Sequence, residues 1–227
     1  MSKDIGIDIK DTDKILVVAP HPDDDCIGLG GLLSLYAKNC DVLLVTDGYD
    51  ESMGDSNIRN IRLSEFETAM RTLGVNDYKE LHLIQYTITE NIKAFNGIDF
   101  KNYDYVFIPN RHEYHKDHIA VYKAVSKLCK REKSKAKVVE YEVWTTLRKP
   151  NIYIDITTVI EKKRELIEIY KSQTKDLDYV NLAMGLNAYR GISRKMCYAE
   201  AFYCERQDKT AKLKQFKKKL KSILKRK

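Results

Sequence analysis

The chain has 227 residues, 43% hydrophobic and 32% charged, with a formal net charge of +7 at pH 7. That length buries a substantial core, and the longest uncharged stretch near the start of the chain, residues 26–37, falls far short of the ~20 residues that span a bilayer. Five cysteines, odd in number and without Cys-x-x-Cys spacing, argue against a disulfide framework, and residues 1–14 are too charged for a secretory leader. The expectation is a cytoplasmic protein with reduced thiols.

In chain order, residues 15–19 form a short aliphatic run of the kind buried on both faces of a parallel sheet. Pro20-His21-Pro22-Asp23-Asp24-Asp25 follows, and a helical pattern over 28–38 comes next. Strands are predicted near 41–46, 81–85, 104–109 and 137–143, with helices near 58–73, 89–96 and 117–131 between them. Alternation of this kind predicts a Rossmann-like, three-layer, doubly wound and mostly parallel sheet with a C-terminal extension. The extension adds a short strand at 152–155, helices near 158–171 and 178–190, and a last strand near 197–205. No linker or internal repeat interrupts residues 1–207, which read as a single α/β domain.

The polar run at 20–25 sits at the carboxyl end of a strand, where open α/β sheets bind their ligands. Helix capping accounts for one aspartate, not for three beside a histidine. A second cluster, His112-Glu113-Tyr114-His115-Lys116-Asp117-His118, follows the apolar run Tyr105-Val106-Phe107-Ile108-Pro109 and precedes another helical pattern. It repeats the first arrangement. Adjacent buried carboxylates are costly unless neutralised, so a metal is the economical reading. His21, Asp24 and His118 would supply a catalytic zinc with three ligands, although two histidines and a carboxylate also suit iron or cobalt. Asp23 then fits a general base and His115 an oxyanion stabiliser or acid, with Asp117 placed to orient His115 and favour its charged form.

Pro-His-Pro-Asp-Asp at 20–24 paired with His-x-Asp-His at 115–118 resembles the PIG-L / LmbE-like family of zinc-dependent N-acetylglucosaminyl deacetylases. Thr46-Asp47-Gly48, the pattern Arg62, Glu65, Ala69, Leu73-Gly74, Tyr170-Lys171-Ser172-Gln173 and Tyr198-Ala199-Glu200-Ala201-Phe202 extend the likeness over most of the chain. The resemblance implies zinc on His21, Asp24 and His118, Asp23 as base, His115 with Asp117 behind it, and Arg62 against the sugar. It implies hydrolytic removal of an N-acetyl group from a small-molecule or lipid-linked N-acetylglucosamine conjugate. Two positions depart from the family pattern: Asp25 stands where Glu is usual, and Lys116 where Pro is usual. The family's sugar-binding aspartate after the third strand has no clear counterpart near Leu83-Ile84-Gln85-Tyr86.

Residues 208–227 hold ten basic residues and one acid, so the remaining 207 residues carry a net charge of −2. Leu213, Phe216, Leu220, Ile223 and Leu224 recur there at helical spacing, which predicts a basic amphipathic helix or tail. Such a segment suits an anionic membrane surface, which would make the protein membrane-peripheral. A terminal helix packed on the body with a solvated lysine face, or a partly frayed tail, is the plainer reading and is weighed ahead of it. No nucleic-acid partner is expected. The glycines at 28, 30 and 31 do not form a dinucleotide fingerprint and read as sites of close packing or substrate approach. Two other readings are a zinc amidohydrolase with a different N-acyl substrate, and a non-catalytic sugar- or membrane-binding protein.

Overall fold

The computed structural model describes residues 6–54 and 57–205. The basic segment at 208–227, with the membrane contact read from it, lies outside the described residues.

Five parallel strands form the sheet in the order β3-β2-β1-β4-β5: β1 Ile15–Ala19, β2 Cys40–Thr46, β3 Asp77–Leu83, β4 Tyr105–Pro109 and β5 Lys137–Tyr141. Their side chains explain the aliphatic runs. In β1, Ile15, Val17 and Ala19 enter the core on one face, while Leu16 and Val18 enter the core on the other. Both faces exclude water, so no polar alternation is needed. One face is covered by helices α1 (Asp24–Tyr36) and α2 (Asn57–Leu73), joined by α4 (Ile160–Ile169) and α6 (Tyr179–Ile192) from the C-terminal part. Helix α3 (Lys116–Arg131) covers the opposite face through Val121, Val125 and Leu128, which meet Phe95 and Phe100 from 3-10 turns. Full burial of such side chains contributes roughly 1.5–3 kcal/mol each.

Past the sheet, β6 (Ile152–Asp155) pairs antiparallel with β7 (Ala199–Phe202), and a one-turn helix α5 (Lys171–Thr174) follows α4. Glu200 on β7 accepts the backbone N–H groups of Gly31 and Leu32 in α1 at 2.7 and 2.8 Å and pairs with the buried Lys163 of α4. A Cβ at position 31 would overlap Ile156 and crowd this carboxylate, so the glycine there serves close packing. The third strand begins four residues earlier than the pattern predicts. It is a polar edge strand, mostly exposed from Asp77 to Lys79, whose pairing comes from the backbone. Residues 92–97 form a 3-10 turn where an α-helix is predicted.

Strands β1 and β4 are neighbours, and the connections leave them in opposite directions along the sheet. Their carboxyl ends therefore border the switch-point crevice, where doubly wound sheets take ligands.

Candidate active site

The turn after β1 carries His21 to Asp25 into α1, and the loop after β4 carries Glu113 to His118 into α3. The two turns, about 90 residues apart in sequence, meet at the crevice. Ligand atoms of His21, His115 and His118 lie within 4.8 Å of one another. Asp24 joins them through Oδ2, which is 3.0 Å from both His21 Nδ1 and His118 Nε2. His21, Asp24 and His118, assigned to a metal on sequence, thus share one buried point, with His115 beside it.

Asp23 occupies the N-cap position of α1, yet its side chain caps nothing. Its backbone has φ 129°, a strained left-handed conformation for a non-glycine residue. Asp25 holds that turn by accepting the Asp23 N–H at 3.3 Å, and Tyr170 and Cys26 in turn donate to Asp25. The Asp23 carboxylate is thereby turned toward Arg62, whose Nη2 lies 3.3 Å away. Arg62 also donates to the carbonyls of Gly48 and Pro22. Gly48 has φ 67°, and a Cβ there would overlap the guanidinium.

Burial pushes the Asp23 carboxyl up to about 7 against the pull of Arg62. Burial acts the same way on Asp24, but His118 and His21 overcome it and hold that carboxyl well below the usual range. For His21, burial opposes the charge, while hydrogen bonds with Asp117 and Asp24 outweigh it and raise the pKa to about 9. Burial raises Asp25 to about 6 despite its hydrogen bonds. Cys26 is fully buried and its thiol is pushed far up by burial, an inert packed side chain.

Two sequence assignments need correction. The Asp117 carboxylate lies on His21 Nε2 at 3.0 Å and accepts the Tyr86 N–H; it does not stand behind His115. What reaches His115 is the backbone N–H of Asp117, donated to Nδ1 at 3.3 Å in an N-cap. Two residues is the spacing at which an N-cap side chain accepts a backbone N–H of the first turn. Nor is the charged form of His115 favoured: burial and the neighbouring His21 and His118 lower its pKa to about 4.

The cleft over these groups is small, about 160 Å³, and is lined by His21, Asp23, Asp24, Arg62 and His115 together with Met53, Gln85, Trp144, Gln173 and Tyr179. Trp144 and Tyr179 meet edge-on at 5.4 Å. Glu65 of α2 accepts the Ser172 N–H and hydroxyl, which fixes the turn bearing Gln173. Of these lining residues, Met53, Gln85, Trp144 and Tyr179 were not singled out on sequence, because they come from separate segments: a 3-10 turn, two loops and the start of α6. Arg111, by contrast, is drawn away: its guanidinium pairs with Glu140 and sits against the rings of Tyr122 and Tyr203. Tyr114 points to solvent at 69% exposure, and Tyr49 contributes a carbonyl to Gln85 N–H. Wider clefts of about 280 and 300 Å³ flank Arg111; His112 lines the second, but His21, His115 and His118 line neither.

A metal fits this donor set on the chain's own evidence. Among the described residues, both ring nitrogens of His118 are buried without a hydrogen-bond partner, although Nε2 is close to Asp24. A short N···O approach that fails hydrogen-bond geometry leaves an unspent lone pair aimed beside a carboxylate, the environment of a cation ligand.

A doubly wound α/β fold with a buried histidine–carboxylate cluster at its switch point defines a candidate site for metal-dependent chemistry. The model of the PIG-L family, described as GlcNAc-PI de-N-acetylase, matches residues 16–129, half of the sequence, and the chain belongs to that family. Over 84 residues it is 34% identical to diacetylchitobiose deacetylase of Thermococcus kodakarensis, a match covering 35% of this chain and 32% of that protein. The match thus spans about a third of the curated relative's length. The solved N,N'-diacetylchitobiose deacetylase of Pyrococcus horikoshii superposes with a TM-score of 0.70 at 25% identity, covering 86% of this chain and 84% of that one. The hydratase GalB of Pseudomonas putida has a TM-score of 0.68 at 17% identity, covering 85% and 96%. The GalB likeness shows the fold alone.

Proposed function

We propose that the protein is a zinc-dependent hydrolase that removes the acetyl group from an N-acetylglucosamine-type sugar. The observation that carries this reading is the pairing of Asp23, held off its helix cap and facing Arg62, with the metal-fit cluster of His21, Asp24 and His118. Membership of the PIG-L family and the likeness to diacetylchitobiose deacetylases support the N-acetyl sugar as substrate. Trp144 and Tyr179 give the cleft aromatic edges against which a sugar ring can pack.

His21, Asp24 and His118 would hold the metal, which lowers the pKa of water and polarises the amide carbonyl when bound. Asp23, with its carboxyl raised to about 7, takes a proton from the attacking water as the water oxygen bonds to the carbonyl carbon. Arg62 keeps that carboxyl in position and limits the rise. His115 accepts the Asp117 N–H at Nδ1, so the neutral ring carries its proton on Nε2 and donates it as a hydrogen bond to the developing oxyanion. The C–N bond then breaks as Asp23 passes its proton to the leaving nitrogen. Acetate and the free amine result.

The test is acetate release from a panel of N-acetyl sugars by the Zn2+-loaded protein, with and without chelator. Chelator-sensitive release is expected. Stoichiometric Zn2+ binding with no release from any of these sugars would overturn the sugar assignment and favour another N-acyl substrate.

A further inference from the structure

Beside the cluster, two buried atoms on neighbouring side chains lack hydrogen-bond partners among the described residues: Nδ1 of His118 and Oε2 of Glu113. Nδ1 lies 4.0 Å from Glu113 Oε1, and both side chains are fully enclosed. The carboxylate is unevenly used. Oε1 accepts the backbone N–H groups of Trp144 and Thr145, each at 3.1 Å, and the Asn110 side-chain amide at 3.4 Å, whereas Oε2 accepts nothing. That 4.0 Å separation, to the oxygen already in use, is too long for a hydrogen bond, and the free oxygen has to turn toward the ring for one to form.

A histidine that ligates a metal through one nitrogen nearly always donates the other N–H to a carboxylate, a carbonyl or water. His118 turns Nε2 toward Asp24, so the proton belongs on Nδ1. We propose that Glu113 is the positioning residue of His118: its free carboxylate oxygen accepts the Nδ1 proton and holds the ring with Nε2 facing Asp24 and His21. This rests on the reading of His118 as a metal ligand. The same carboxylate anchors the backbone of Trp144, which lines the cleft. Ligand orientation and one wall of the substrate cleft therefore share a single anchor. On the sequence, Glu113 was no more than a loop neighbour of His112, whose ring is exposed.

A purely structural role, holding the loop at Trp144 and Thr145, can be separated from this one. Trp144 is the only tryptophan in the chain, so its emission reports that loop without interference. In Glu113→Gln the amide oxygen still accepts the Trp144 and Thr145 N–H groups, while the second arm becomes an NH2 that cannot accept a proton from Nδ1. Zn2+ affinity, measured by chelator competition, is expected to fall about 10- to 100-fold in this variant. Trp144 emission and the melting temperature of the metal-free protein should change little. Glu113→Ala should alter both. A Glu113→Gln protein that binds Zn2+ within threefold of the parent overturns the inference if His118→Ala in parallel loses Zn2+. If His118→Ala also keeps Zn2+, the ligand reading itself fails and the positioning role falls with it. Should Glu113→Gln fail to fold, nitrogen-15 NMR of the unaltered chain decides. A proton on Nδ1 of His118 is required, and the opposite tautomer refutes the role.

Discussion

Among the described residues, two groups of metal-ligating side-chain types stand at strand ends of this sheet, His21, His115 and His118 in one and Asp47, Glu80 and His82 in the other, each with ligand atoms within 4.8 Å of one another. At the ends of β1 and β4 the His21 and His118 side chains are 7% and 0% exposed, and His118 has two ring nitrogens with no hydrogen-bond partner among the described residues. At the ends of β2 and β3, His82 is 53% exposed and every member is already engaged. Asp47 pairs with Arg59 and with His82 Nδ1 at 2.9 Å, and Glu80 lies 3.6 Å from His82 Nε2. Proximity of donors is common to the two groups. What separates them is a buried donor with nothing left to bind, because water can satisfy an exposed ring but not an enclosed one.

If that distinction holds, the largest contrast is in metal binding. His118→Ala should abolish stoichiometric Zn2+ binding, and His82→Ala should leave it intact, as measured by metal content after dialysis. A loss of Zn2+ in the His82 variant instead would assign the metal to the group at β2 and β3. Turnover should follow the same divide: Asp23→Asn is expected to lower acetate release about 10²- to 10⁴-fold with Zn2+ retained. His82→Ala should change it less than about threefold. Near-normal turnover in a metal-loaded Asp23→Asn protein removes the base role.

How far the sequence discloses this division depends on what carries each feature. Strands β1 and β4 are legible because burial on both faces demands a run of aliphatic residues, and the site motifs are legible because their members are contiguous. Strand β3 is not, since Asp77, Lys79 and Glu80 on an exposed edge give no periodic burial to read. Within the site, the partners of the ligands are the illegible part. Spacing and the family resemblance both put Asp117 behind His115, whereas the path of α3 sends its carboxylate to His21 and gives His115 its N–H. Trp144 and Gln85 reach the cleft from two different loops and Tyr179 from the start of α6, so nothing local in the sequence marks them.

Protonation offers a smaller contrast. His21 in the metal-free chain has its pKa raised to about 9 by Asp117 and Asp24, against burial, so at pH 7 the ring carries a proton that a metal must displace. Apparent Zn2+ affinity should therefore rise roughly tenfold per pH unit from pH 7 toward 9 and level off above it. Asp24 is held far below this range and adds no slope. A chelator competition series that is flat between pH 7 and 9 would show that the proton on His21 does not compete.

The smallest expected effect concerns stability, and it tests whether burial matters more than the number of pairs. Tyr170 donates its hydroxyl to Asp25 at 3.0 and 3.1 Å, and Asp25 accepts the N–H of the strained Asp23. Tyr170→Phe removes that donor without changing the shape of the side chain, so a buried carboxylate loses part of its solvation with no water to replace it. The cost should be about 1–3 kcal/mol in urea denaturation of the metal-free protein. His82→Ala deletes contacts to both Asp47 and Glu80, yet the ring is exposed and Asp47 keeps Arg59, so the change should stay within about 0.5 kcal/mol. If His82→Ala proves the more costly of the two, pairing rather than enclosure governs these strand ends, and an unpartnered nitrogen on His118 would no longer single out the first cluster as the metal site.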